Sequence, residues 1–186
     1  MSYCDYVNGL QPQQDELNKL YHDHHYGYPI SDDNELFERL VLEINQAGLS
    51  WTLMLKKQQN FRNAYDQFDI ATIAAYDENE RIRLLNDAGI VRNKLKVNAA
   101  IYNANQILQL QQQYGSFKNW LDHHHPRPLS GWVKLFKKQF KFVGGEIVNE
   151  FLMSCGYLAG AHQESCPIYT KVLERQPAWK TTQQKT

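Results

Sequence analysis

At 186 residues the chain is the length of a single domain, and a compact fold of that size removes roughly 70% of the unfolded surface from water. Hydrophobic residues make up 42% and aromatic residues 12%, which excludes disorder as the main state. Twenty basic residues cancel twenty acidic ones, which excludes a protein that coats nucleic acid through bulk charge, although a local patch survives that test.

No run approaches the roughly 20 apolar residues that cross a bilayer, and Met1 to Asp5 has neither the charged nor the apolar part of an export signal. Three cysteines, at 4, 155 and 166, do not make a disulfide framework; in a reducing compartment they are free thiols or metal ligands. The expectation is a soluble cytoplasmic protein, monomeric, with no membrane segment.

In chain order, Asp32 and Glu35 have the spacing of an N-terminal cap, and Leu36, Phe37, Leu40, Val41 and Ile44 follow at helical period until Ala47-Gly48. Ser50 caps a second helix that begins at Trp51 and carries Leu55, Phe61, Tyr65 and Phe68. Asp69 opens a short helix through Ile73, and Asp77 with Glu80 caps another bearing Ile82, Leu84 and Leu85. A break at Asn86 to Ile90 precedes a long helix from about Asn93 to Tyr114, and Ser116 caps a turn with Phe117 and Trp120. His123 to Pro128 reads as a loop; Ser130 starts a helix with Trp132, Val133, Leu135, Phe136 and Phe140. The last clear helix follows Gly144-Gly145, buries Ile147, Val148, Phe151, Leu152 and Cys155, and stops at Gly156. From roughly 177 to 186 a polar tail is expected to fray. With no strand pattern, repeat or linker, residues 1–186 read as one all-α unit.

One residue breaks the apolar stripe of the first long helix. At 100° per residue Glu43 lies within about 20° of Leu36 and beside Leu40 and Ile44. A buried carboxylate costs several kcal/mol unless paired or hydrogen-bonded. Either the stripe ends near 41 and Glu43 meets solvent, or a buried arginine satisfies it, or it is a pocket carboxylate awaiting a polar or cationic ligand. Trp51, one tight turn further on, favours the last: an acid with a facing indole suits a flat, positively charged ring. Taken alone, that tryptophan would be a core residue.

The stretch from Leu84 through Asn86-Asp87-Ala88-Gly89-Ile90 to Lys96 joins two apolar helices through a glycine turn and resembles a helix-hairpin-helix. In that motif, backbone N–H groups at the turn and the second helix's N-terminus hold a phosphate. Arg92, Lys94 and Lys96 add charge nearby, while structural packing is the alternative. Lys134, Lys137, Lys138 and Lys141 at i, i+3, i+4 and i+7 form a basic helix face, either solvated or tracking a nucleic-acid backbone.

At the chain's two ends, His162 and Cys166 could point the same way on a helical turn, and Cys4 and His22 could complete a closed tetrahedral set. Spacing does not choose among neighbours: His24 and His25 are equally close, and His123, His124 and His125 form another cluster. Cys155 reads as core.

Together these features resemble the 3-methyladenine DNA glycosylase I family. The resemblance is carried by Cys4, Tyr21-His22-Asp23, Leu42-Glu43, Gln46-Ala47-Gly48-Leu49-Ser50-Trp51, Leu55-Lys56-Lys57, Asp87-Ala88-Gly89-Ile90, Phe140-Lys141-Phe142-Val143-Gly144 and the His162/Cys166 pair, spanning roughly residues 4 to 166. It implies an all-α helix-hairpin-helix glycosylase fold that acts on double-stranded alkylated DNA. One structural zinc ion would join the termini through Cys4, His22, His162 and Cys166. It further implies a base pocket of Glu43, Tyr21 and Trp51, with Tyr26 and Tyr6 standing where the family usually has tryptophan. Gln46, Gly48 and Leu49 would enter the gap left by the extruded nucleotide, while Gly89, Ile90, Arg92 and Lys94 hold the backbone.

The chemistry agrees. N3-methylated adenine in DNA is cationic and departs as a neutral base, so extrusion and recognition matter more than acid assistance. Many proteins of this fold place an aspartate soon after the hairpin, but residues 93–121 contain no Asp or Glu, as in this family. Besides Tyr6 and Tyr26, the sequence departs from the family in a short 123–130 loop and in Glu150, where a small polar residue is usual. A zinc-stapled protein that binds damaged DNA without cleaving it is the competing reading; a metal-dependent hydrolase would need an open coordination position.

Overall fold

A computed structural model describes residues 2–10 and 15–181. Among them the chain forms α1 (Tyr3–Asn8), α2 (Glu16–His24), α3 (Asp33–Gln46), α4 (Trp51–Ala64), α5 (Ile70–Ala74), α6 (Glu78–Asn86), α7 (Lys94–Tyr114), α8 (Phe117–His124), α9 (Leu129–Gln139), α10 (Gly145–Ser154), α11 (Pro167–Glu174) and α12 (Ala178–Thr181), with no strand. No helix among the described residues is long and apolar enough to cross a membrane.

The helix starts are local chemistry. Asp32, Ser50, Asp69, Asp77, Asn93 and Ser116 each accept a hydrogen bond from a backbone N–H of the first turn that follows. Elsewhere the boundaries differ from the sequence reading. Helix α8 runs on to His124, and α9 begins at Leu129 with Pro128 as its cap, because proline's fixed φ suits a helix start. Lys141 therefore lies beyond α9, and only Lys134, Lys137 and Lys138 share that helix. Phe68 belongs to a short 3₁₀ turn, Asp66–Phe68, after α4 ends. Of the expected tail, residues 177–181 pack: the Trp179 N–H donates to the Gly156 carbonyl and its ring meets Tyr169. Residues 182–186 lie outside the described residues.

Helix α3 is the centre. Leu36, Phe37, Leu40, Val41, Leu42 and Ile44 are all buried, so apolar side chains face outwards from it in nearly every direction, and α4, α7, α8 and α10 pack around it. The aromatic content is concentrated in a second layer, where Phe117, Trp120, Phe136, Phe140 and Phe151 form a network of edge-on, tilted and stacked ring contacts.

A buried lysine fixes α7 to the end of α3. Lys96 donates from Nζ to the carbonyls of Asn45 and Ala47, both at 2.9 Å, at the C-terminus where helix carbonyls lack partners. Expected near the DNA, Lys96 instead closes the core. Lys96→Met is expected to lower the melting temperature by roughly 5–10 °C, since it strands two carbonyls. Calorimetry checks this; a fall under about 2 °C would contradict it.

Candidate active site and metal centre

A cleft of about 860 Å³ opens where α3, α4 and α10 meet the N-terminal segment. Its walls include Tyr3, Tyr21, Tyr26, Glu43, Trp51 and Glu150. Trp51 and Tyr21 pack against each other at a tilt of 53° with ring centroids 5.0 Å apart, and Tyr3 meets Tyr26 edge-on at 5.4 Å. The single turn between α3 and α4 brings Glu43 and Trp51 into one cavity, as their spacing predicts.

Glu43 differs from every other buried polar residue of α3. Glu38 accepts from Arg62 at 2.9 Å and Gln58 at 2.7 Å, Arg39 donates to the Tyr21 hydroxyl and the Ser154 carbonyl, and Asn45 donates to Val41. Glu43, 4% exposed, has no hydrogen-bond partner among the described residues. It is therefore not at a solvated edge. Arg39 is near but spends its hydrogen bonds on Tyr21 and Ser154. Burial pushes the Glu43 carboxyl up to about 8, Arg39 opposing the shift and Glu150 adding to it. Such a group ionises readily when a cation enters beside it.

The cavity mouth is formed by Gln46, Ala47, Gly48 and Leu49 on one side and Gly144 with Gly145 on the other. Gly48 has φ +85°, a left-handed conformation that reverses the chain tightly and leaves Leu49 40% exposed at the rim. Asn103 holds the opposite rim, exchanging two hydrogen bonds with the backbone of Lys141.

The 87–93 turn between α6 and α7 is fastened from behind by α4. Lys57 donates to the Ala88 and Gly89 carbonyls, and Asn60 to Gly89. Two residues expected to hold a DNA backbone also have partners within the protein. The Gly89 N–H goes to Asp87 Oδ1 at 2.7 Å, and Ile90 is buried in the core. Asn93 takes the N–H groups of Leu95 and Lys96. The N–H groups of Val91, Arg92 and Lys94 have no protein acceptor among the described residues, and the Arg92 and Lys94 side chains are exposed. Because Lys96 joins the start of α7 to the 47–49 turn, this open stretch and the cavity mouth are held on neighbouring elements.

Cys4 on α1, His22 on α2, His162 in the loop after α10 and Cys166 at the start of α11 place their donor atoms within 4.8 Å of one another, all buried. The sulfur–nitrogen separations are 3.4 to 3.8 Å. Ligands at zinc-like distances around a tetrahedral centre lie about 3.6 Å apart, so the set could hold a metal ion. Each histidine's other ring nitrogen is engaged, His22 Nδ1 with Asp23 at 2.7 Å and His162 Nε2 with the Tyr26 carbonyl at 2.8 Å, which fixes ring orientation. His162 and Cys166 converge through a turn, the Cys166 N–H donating to the Gln163 carbonyl, and not on a helical face as their spacing suggests. Gly27, at φ +83°, permits the approach: a Cβ there would meet Ala161 at 2.8 Å.

Of the expected base-pocket residues, Tyr21, Tyr26, Glu43 and Trp51 share the cavity and Tyr6 does not. Tyr6 is 39% exposed and donates to Asp15 at 2.9 Å; three residues along α1 from Tyr3, it turns its ring outward and stacks on it. Tyr3 takes the wall position. A six-residue helix has too little periodicity to show this in sequence, although Tyr3 adjoins a metal-binding candidate.

A model of the family described as methyladenine glycosylase matches residues 11–131. DNA-3-methyladenine glycosylase 1 of Escherichia coli (strain K12) is 37% identical over 91% of this chain and 97% of its own. The structure of 3-methyladenine DNA glycosylase I from Staphylococcus aureus superposes with a TM-score of 0.76 at 30% identity, covering 84% of this chain and 93% of that one. A variant of 3-methyladenine DNA glycosylase I solved in complex with 3-methyladenine gives 0.78 at 29% identity, covering 90% and 97%. Sequence, fold and relatives agree, and the chain belongs to the methyladenine glycosylase family.

Proposed function

We propose that the chain is a monofunctional glycosylase that hydrolyses the N-glycosidic bond of 3-methyladenine in double-stranded alkylated DNA, acting as a single copy. The observation that carries this reading is Glu43: a buried carboxylate without a hydrogen-bond partner, inside an aromatic cavity wide enough for a purine. The extruded base stacks on Trp51, and Glu43 accepts hydrogen bonds from its N–H groups. Arg39, donating to the Tyr21 hydroxyl oxygen, leaves that group's proton free for the ligand. Since the cationic base leaves as a neutral molecule, no general acid is required, and the enzyme's task is to flip, hold and admit water.

DNA contact follows from the rim. Leu49, with Gln46 and Gly48, fills the vacated stack. The phosphate grip lies at Val91, Arg92 and Lys94, whose N–H groups are open, and not at the N–H groups of Gly89 and Ile90.

The metal is one zinc ion, structural in role: two thiolates and two imidazoles close a tetrahedron and leave no position for substrate. The ligands bear on the cavity through their neighbours, since Cys4 follows Tyr3, His22 follows Tyr21 and His162 follows Ala161, all three neighbours being cavity residues.

The test is to incubate methylated duplex DNA with the protein and chromatograph the freed bases. Release of 3-methyladenine is expected; retention of the protein on damaged duplex with no base freed would favour a damage-binding protein instead.

A further inference from the structure

Tyr26 and Glu150 are 124 positions apart, yet they meet inside the cavity, the Tyr26 hydroxyl donating to Glu150 Oε2 at 3.1 Å. The cavity therefore contains two carboxylates shielded from solvent, Glu43 from α3 and Glu150 from α10, while the third in its lining, Glu146, is exposed. Among the described residues neither forms an ion pair. A carboxylate offers about four lone-pair sites. One hydroxyl satisfies part of that capacity and, by doing so, steadies the group and leaves the remainder facing the cavity. The Tyr26 backbone is itself held, its carbonyl accepting from His162, so the pair has a rigid support.

We propose that Glu150, steadied by Tyr26, is a specificity-determining residue of the base cavity, a second carboxylate that accepts hydrogen bonds from a positively charged purine and admits cationic bases over neutral ones. A neutral base would desolvate two acidic groups and return no charge, which is a penalty on the wrong ligand. A cationic base meets complementary charge on two sides. Burial and the nearby Glu146 raise the Glu150 carboxyl above the usual range while the Tyr26 hydroxyl opposes them, so its charge is costly in the empty cavity and is offset when a cation enters.

The kinetic signature follows from where charge moves. In the substrate the positive charge is on the base; as the glycosidic bond breaks it passes to the sugar. A carboxylate at the base edge therefore stabilises the bound ground state at least as much as the transition state, so it acts on binding and selection more than on the chemical step. Glu150 is in this sense distinct from a residue that assists bond cleavage.

The inference rests on the base-excision reading, and one experiment separates the two. The full-length protein, Glu150→Gln, Glu150→Asp and Tyr26→Phe are compared for 3-methyladenine release from methylated duplex DNA, with circular dichroism confirming folding. Glu150→Gln is expected to raise KM about tenfold with kcat changed less than about twofold. Glu150→Asp, which keeps the charge, recovers part of that loss, and Tyr26→Phe, which unseats the carboxylate, falls between. An unchanged KM in Glu150→Gln, or equal losses in Glu150→Gln and Glu150→Asp, would overturn the role of Glu150 while leaving the glycosylase reading intact. No release by the unaltered protein would overturn both.

Discussion

Glu43→Gln is expected to reduce kcat/KM for 3-methyladenine release by about a hundredfold, the scale of a lost hydrogen bond to a charged group in a dry site. The same substitution is expected to raise thermal stability, because the carboxylate is held without a partner. Its folded pKa, pushed up to about 8 by burial, lies well above the unfolded value of about 4.3. Between those values the folded state binds more protons than the unfolded state, so stability falls as pH rises through the window. Glutamine removes that loss. The melting temperature of Glu43→Gln should match the parent near pH 4.5, exceed it increasingly towards pH 8, and keep an advantage of about 5 °C or more above it. For activity, kcat/KM of the parent should climb from pH 6 to about 8 as Glu43 ionises among Arg39, Tyr21, Tyr26 and Glu150, and the variant should lack that limb. Paired scanning calorimetry and base-release profiles check both halves. Lower stability with unchanged activity would assign Glu43 to the core.

Loss of a metal ligand is the second large effect. The purified protein should contain close to one zinc per chain, and Cys166→Ser should lose it, with a fall in melting temperature of roughly 10 °C or more. The reason is connectivity. Four candidate ligands from α1, α2, the 155–166 loop and the start of α11 converge where these segments are otherwise joined by two small apolar clusters, one around Cys4, Cys166, Ile168 and Val172 and one around Tyr21, Tyr26 and Leu55, and by a few hydrogen bonds such as Tyr3 to Asn18. Activity should fall with stability, since Tyr3 and Tyr21 are positioned by their neighbours Cys4 and His22. Inductively coupled plasma analysis alongside thermal melts reads both. A zinc-free protein with normal stability would show that the four side chains are packing, not ligating.

What the sequence revealed was local or periodic. The helix starts read at Asp32, Ser50, Asp69, Asp77 and Ser116 form, because a cap needs only the next three residues, whereas the start read at Ser130 falls one residue inside α9. The misfit of Glu43 was visible because a charged residue on an apolar stripe conflicts with the helix period. Long-range features were not legible in this way. Spacing left His24 and His25 as open as His22, and only folding over 158 positions decides that His162 meets Cys4. Helices α1 and α11 are too short for their periodicity to stand out, so Tyr6 was expected where Tyr3 stands. At the 87–93 turn, the family resemblance implies Gly89 and Ile90 among the DNA contacts, and charge places Lys96 nearby. Asp87 and Asn93 take the N–H groups of Gly89, Leu95 and Lys96, those of Val91, Arg92 and Lys94 stay open, and Lys96 turns inward to α3. Tyr26 and Glu150 each looked like an isolated departure until contact made them a pair.

The central claim is that a buried carboxylate and an aromatic wall receive the damaged base. A crystal of the protein grown with 3-methyladenine addresses it directly. The base ring should lie parallel to the Trp51 indole, with an N–H within hydrogen-bond distance of Glu43. Base bound outside this cavity, or stacked with no polar contact to Glu43, would contradict it.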